Sequence, residues 1–258
     1  MKIIVLAKEV PDTYGDRKLD LETGLADRAA SDVVLDEIAE RSLEVALTYA
    51  DKTADTEVVM LSMAPGSASA SLRKGLTMGA TSAVQVADEA LRGADLGLTA
   101  EVLAAAVRRI GFDLVIAGNL STDGTAGVLA AMLAENLGVP HATSLTSIEI
   151  TADAVTGTRP EDSGTLQVKA PLPAVVSITE ALPDARLPSF KGIKAAKKKP
   201  LELLSLSDLA VDPYDPGAGR SIIVAITEKP VREAGVKIVD EGDAGDKLAE
   251  FLLQNRFV

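Results

Sequence analysis

The 258-residue chain contains no cysteine, no tryptophan and a single histidine, His141. Without thiols, disulfide frameworks, thiolate metal sites, iron–sulfur clusters and cysteine nucleophiles are excluded. One imidazole excludes a multi-histidine metal site and a relay of several histidines. Aromatic residues make up only 3%, so the core has to be built from Ala, Val, Leu and Ile. Basic residues are in the minority, 26 against 38 acidic, for a net charge of −12. That excludes a globally basic nucleic-acid binder, because neutralising phosphates requires Lys and Arg. No apolar run approaches the ~18 residues of a membrane span, and the opening MKIIVLAKEV is too short and too soon charged for a signal peptide. The expectation is a soluble cytoplasmic protein with no membrane insertion.

What is present is 47% hydrophobic residues arranged in alternating patterns. Short β-branched runs at 2–7, 57–62, 83–87 and 113–118 read as buried strands. Between them, 33–50, 66–78, 98–110 and 126–137 carry helical periodicity, with Asp32 placed to cap the first and Gly79 and Gly138 ending the second and fourth. Strand and helix alternating with short connections predicts an α/β fold with a doubly wound, mainly parallel sheet. The runs 145–151, 165–169 and 174–179 read as strands of an antiparallel addition at the sheet edge. Residues 11–31 form a loop too long to be idle. After about residue 180 six prolines break the pattern, leaving a periodic strand at 221–227 and a helix at 245–254. The division expected is therefore 1–180 as a nucleotide-binding α/β domain and 181–258 as an extended arm that lies on a partner, since an uncovered strand with Ile222, Ile223, Val224 and Ile226 invites aggregation.

In open parallel sheets ligands sit beyond the carboxyl ends of the strands. Three segments converge there: Leu6, Ala7 and Lys8; Ser62 to Gly66; and Gly118 to Gly127. The third (Gly118, Asn119, Leu120, Ser121, Thr122, Asp123, Gly124, Thr125, Ala126, Gly127) is small, polar and glycine-rich and leads into a helix. Backbone N–H groups with Ser and Thr hydroxyls make an anion cradle. The run is neither a Walker loop nor a GxGxxG, and it also suits an ordinary capped strand-to-helix turn. His141 reads as a structural histidine, Arg159 to Asp162 as a hairpin tip, and Tyr14 as either a packing residue or one meeting a cofactor edge. No nucleophile stands beside a base. Charge is uneven: Arg186, Lys191, Lys194, Lys197, Lys198 and Lys199 form a strip with no acid, and the remaining 20 basic against 38 acidic residues leave the body at −18.

Several stretches, in order along nearly the whole chain, resemble the β subunit of electron transfer flavoproteins. They are Lys2 to Lys8 with Val10-Pro11-Asp12; Ala64-Pro65-Gly66 with Leu72 to Ala80; Asp113 to Gly118 with Ser121 to Gly124; Leu172 to Ser177; and Pro188 to Ile193 with Ala196 to Pro200. The resemblance implies an adenine-nucleotide-binding fold, a heterodimer with an α subunit, one FAD held mainly by that subunit, and AMP in this one. By position it places the AMP contacts on Leu6 or Ala7, on the segment Val33 to Asp36, on Met63, and on Gly118 through Val128. It also implies a dehydrogenase-docking loop, Glu180 to Leu187, with Leu182 at the anchor beside Pro183 and Arg186. Val33-Val34 stands where the family has Asn-Pro, and Arg159-Pro160-Glu161 displaces a family glutamate by one. The implied function is an electron carrier between dehydrogenases and a quinone oxidoreductase or other acceptor. Two alternatives stand beside it: an electron-bifurcating form with a second FAD in place of AMP, and a stand-alone nucleotide-sensing protein.

Overall fold

The computed structural model describes residues 1–15, 17–232, 234–235 and 237–258. It divides into two compact units, Met1–Val224 and Ala225–Val258, later than the boundary at 180 expected from the sequence.

The first unit is built on a seven-stranded sheet. Its strands are β1 (Lys2–Leu6), β4 (Glu57–Met63), β5 (Ser82–Val86), β6 (Leu114–Gly118), β7 (His141–Leu145), β11 (Ala174–Ile178) and β12 (Leu201–Leu204), in the order β12-β5-β4-β1-β6-β11-β7. Every pairing in it is parallel. Strands such as Ile3 to Leu6 and Val58 to Leu61 are buried on both faces, which is why they read as continuous apolar runs rather than alternating ones. Helices α1 (Glu37–Ala50) and α2 (Ser69–Met78) pack with Ile3, Val5, Val58 and Met60 on one face. Helices α3 (Leu96–Ile110) and α4 (Leu129–Leu137) pack with Ile4, Leu6, Val59 and Leu61 on the other. Two cores separated by one sheet are the expected doubly wound arrangement.

The antiparallel addition is a separate three-stranded sheet of β8 (Ser147–Ile150), β9 (Ala154–Glu161) and β10 (Gly164–Pro171). Its β9–β10 hairpin turns at 162–163, close to the expected tip. Residues 174–178 do not belong to it: this strand is fully buried and lies inside the parallel sheet, between β6 and β7.

Two further expectations are corrected. The helix predicted from residue 33 begins at Glu37, with Asp36 rather than Asp32 at its N-terminal boundary. Val33 and Val34 instead extend as β3 (Val33–Leu35), paired antiparallel with β2 (Glu9–Pro11), as β-branched residues prefer. The chain after 180 also does more than wander. Helix α5 (Phe190–Ala196) packs on α2, β12 closes one sheet edge against β5, and α6 (Leu206–Leu209) follows with a capping box from Ser205 and Asp208. No strand forms at 221–227. In the second unit, α7 (Ala244–Gln254) appears where a helix was expected, amphipathic but with no buried residue.

Candidate functional site

Strand order fixes the location of the site. β1 has β4 on one side and β6 on the other, so the chain reverses direction at β1 and a crevice opens beyond its carboxyl end. Lys8 leaves β1 there, Met63 ends β4, Asp36 opens α1, and the loop 119–128 leaves β6. Gly118 allows this convergence: a Cβ on it would stand 2.5 Å from Ile38 Cγ2 of α1.

The charged groups meet at Asp123. Lys8 Nζ lies 2.6 Å from Asp123 Oδ1 and donates to Ser121 Oγ at 3.2 Å. Arg28 Nη2 stands 3.8 Å from Asp123 Oδ2, and its Nη1 donates to the Glu9 carbonyl at 2.9 Å. Arg17 donates to the Thr122 carbonyl. Burial works against the charge of Asp123, whose side chain is 13% exposed, but the Lys8 ammonium and the Ser121 hydroxyl outweigh it and hold the carboxyl below its ordinary range.

Asp36 behaves oppositely. It is 1% exposed, and its Oδ2 accepts the Thr122 N–H at 3.0 Å. Burial pushes its pKa up, and the neighbouring Asp123 adds to the shift. Its Oδ1 and the Thr122 Oγ1 are both buried without a partner. Both oxygens belong to the two residues that the Thr122 N–H joins, and a buried polar group without a partner is costly. A cavity of about 30 Å³, lined by Lys8, Glu9, Arg28, Met63, Ala64 and Pro65, lies beside the two cations that meet Asp123.

The loop 119–128 is a cradle of turns rather than the start of a helix, since α4 begins at Leu129 and not at Ala126. Asn119 N–H donates to the Ile178 carbonyl at 2.8 Å. Gly124 N–H donates to Ser121 Oγ, and Thr125 N–H to the Ser121 carbonyl. Thr125 and Gly127 take positive φ values of 48° and 71°. Val128 precedes α4 and is half exposed.

Of the expected site residues, Leu6 and Ala7 are buried at the end of β1, and Lys8, Asp36, Met63, Ser121, Thr122, Asp123 and Gly124 converge at the crevice. Val33 is exposed on β3 opposite Pro11, on the ribbon rather than at the helix start. Tyr14 is 98% exposed, so it has no packing role in this chain. His141 opens β7 and is exposed rather than enclosed. Sequence reasoning missed Arg17 and Arg28, although both are cations in the loop already marked as too long to be idle.

The loop 180–187 also departs from expectation. Leu182, expected as an exposed anchor, is 8% exposed and belongs to the core that packs α1. Arg186 is half buried against α1, Pro183 is exposed, and the leucine facing outward is Leu187, at 89%. Among the described residues no group of His, Asp or Glu could hold a metal ion, and no helix is long and apolar enough to cross a membrane.

Fold and site together define a doubly wound α/β protein with a charged crevice at the point where its strand order reverses. Residues 23–209 match the electron transfer flavoprotein domain model. The chain is 43% identical to the electron transfer flavoprotein subunit beta of Mycobacterium leprae over 99% of both chains. It is 28% identical to the subunit of the same name from Megasphaera elsdenii over the full length of both. It is also 32% identical to the caffeyl-CoA reductase–Etf complex subunit CarD of Acetobacterium woodii, over 86% of this chain and 84% of that one. The chain belongs to the electron transfer flavoprotein family.

Proposed function

We propose that this chain is the β subunit of a heterodimeric electron transfer flavoprotein, paired with an α subunit that holds the FAD. The observation that carries the reading is the end-to-end match to β subunits. The physical chemistry agrees with it. The crevice holds ion pairs and orphaned acceptors but no nucleophile–base pair, as suits a subunit that supports a redox group held elsewhere. The apolar face of α7 and the exposed Ile222, Ile223 and Val224 are surfaces that an α subunit would cover.

AMP is the ligand we assign to the crevice. Asp36 Oδ1 and Thr122 Oγ1 suit ribose hydroxyls, which can donate to the one and exchange a hydrogen bond with the other. Lys8 and Arg28 suit a phosphate, and both are engaged by Asp123. The 30 Å³ cavity admits water but not a nucleotide, so binding has to widen it, and freeing Lys8 for a phosphate has to loosen its pair with Asp123. Asp123→Asn, which weakens that hold, is expected to tighten AMP binding to the nucleotide-depleted heterodimer. Weaker binding by this variant in titration calorimetry would place Asp123 among the ligand contacts instead.

Electrons enter from a dehydrogenase docked at the loop 180–187, with Leu187 as the side chain that inserts. They leave to a quinone oxidoreductase or comparable acceptor. Co-expression with an α subunit, followed by nucleotide extraction, tests the whole reading. A yellow 1:1 complex with one FAD and one AMP supports it, and two FAD per dimer make the crevice a second redox site. A chain that never forms a flavin-bearing heterodimer overturns it in favour of a stand-alone nucleotide binder.

A further inference from the structure

The loop 180–187 is held from α1 at three successive points. The Leu182 side chain is buried, and its carbonyl accepts a hydrogen bond from Arg41. Arg41 also pairs with Asp184. Arg186 then forks onto Glu44, with Nε 2.7 Å from Oε2 and Nη2 2.9 Å from Oε1. The backbone N–H of Arg186 donates to the same Glu44 Oε2 at 3.0 Å, and Nη2 reaches Asp51 Oδ2 at 2.9 Å. A bidentate pair fixes direction as well as charge. The side-chain and main-chain bonds together fix the backbone at residue 186, so the next side chain has a set exit. That side chain is Leu187, almost wholly exposed, with Pro188 behind it.

An exposed apolar side chain on a loose loop loses conformational freedom when it inserts into a partner, and that loss weakens binding. Here three ion-paired or hydrogen-bonded residues remove the freedom beforehand. We infer that Glu44, Arg41 and Arg186 are positioning residues: a clamp on α1 that presents Leu187 to the donor dehydrogenase in its docking geometry. The inference rests on the proposed reading of this loop as the docking site. Glu44 acts from behind, since its side chain is 16% exposed and faces Arg186. Burial opposes its ionisation, but the bonds from Arg186 override this and keep the carboxyl below its ordinary range, so the clamp is closed at neutral pH.

The test uses the α–β heterodimer and a flavin-dependent dehydrogenase that reduces the wild-type complex. Arg186→Ala and Glu44→Gln are each expected to raise the dehydrogenase's KM for the heterodimer about three- to tenfold with kcat retained. Arg186→Lys should fall between, since it keeps the charge and loses the fork. Neither Arg186→Ala nor Glu44→Gln should add anything in a Leu187→Ala background. Amides of 182–188 should exchange faster in both single variants, with melting temperature and FAD content showing that the complex is intact. If Leu187→Ala raises KM but Glu44→Gln and Arg186→Ala do not, or if they raise it equally in the Leu187→Ala background, the clamp is refuted while docking stands. If Leu187→Ala leaves KM unchanged, the docking reading itself is wrong.

Discussion

Asp36 and Asp123 share one crevice and titrate in opposite senses, so pH separates them. Asp36 has a raised pKa in the fold because it is buried. Below the unfolded value, near 3.8, it is protonated in both states and its contribution is intact. As pH rises through the folded pKa, the fold must carry a buried charge and stability falls. Asp36→Asn retains an oxygen to accept the Thr122 N–H and has no charge to bury. Its unfolding midpoint relative to wild type should therefore climb as pH rises from the unfolded value, near 3.8, through the higher folded one. Parallel stability curves for the two proteins would show that the fold does not raise the Asp36 pKa. For Asp123 the sign reverses: its lowered pKa means that its contribution is present above the unfolded value and lost as pH falls through the folded one. None of this was legible in the sequence. The strand ends and the loop 118–127 located the crevice, but Arg17 and Arg28 reach it from more than ninety residues away along the chain. Pairings at that separation leave no local pattern to read.

At the scale of elements, α5 illustrates what patterning can and cannot reveal. Gly192 sits where a Cβ would stand 2.3 Å from the Thr77 carbonyl oxygen of α2, so the two helices touch backbone to backbone. Gly192→Ala has to push α5 away. The expected cost is about 1–3 kcal/mol in unfolding free energy, with faster amide exchange over 190–199 and unchanged exchange in β1, β4 and β6. Unaltered protection of α5 would mean that the contact is not what holds it. Just past α5, the Lys199 ammonium donates to the Leu76 and Gly79 carbonyls at the end of α2, and burial lowers its pKa. The apolar β-branched runs made β1, β4, β5 and β6 readable, and the 3.6-residue period did the same for α1 and α3. Helix α5 was missed because its seven residues are too few to establish a period, and its larger apolar side chains, Phe190 and Ile193, stay exposed while Gly192 and Ala196 dock. Strand β12 was missed because Leu203 is exposed and Glu202 interrupts it, as edge strands tolerate. Ala174 to Ile178 was recognised as a strand but placed in the wrong sheet, although five successive buried residues are the mark of a strand covered on both faces.

At the scale of the whole molecule, charge is distributed with a purpose. The chain carries −12, yet Lys191, Lys194, Lys197 and Lys198 are all exposed immediately after Leu187. A local positive field on a negative body steers an acidic partner toward one place, and salt weakens such steering. If a dehydrogenase docks there as proposed, stopped-flow reduction of the heterodimer by it should slow several-fold between about 10 mM and about 150 mM salt. Lys191→Glu with Lys194→Glu should slow it at low salt and flatten the dependence. A rate that rises with salt would instead mean that the body repels the donor and the strip guides nothing. The strand order has a different kind of consequence, one for synthesis. β5 is complete at Val86, but the strand that covers its outer side begins at Leu201, roughly 115 residues later. At ribosomal speeds that is a wait on the order of ten seconds. During that time the nascent chain offers a bare line of N–H and C=O groups from Ser82 to Val86, so cells making this protein quickly, with neighbouring ribosomes on one message, face a risk of misassembly at that edge.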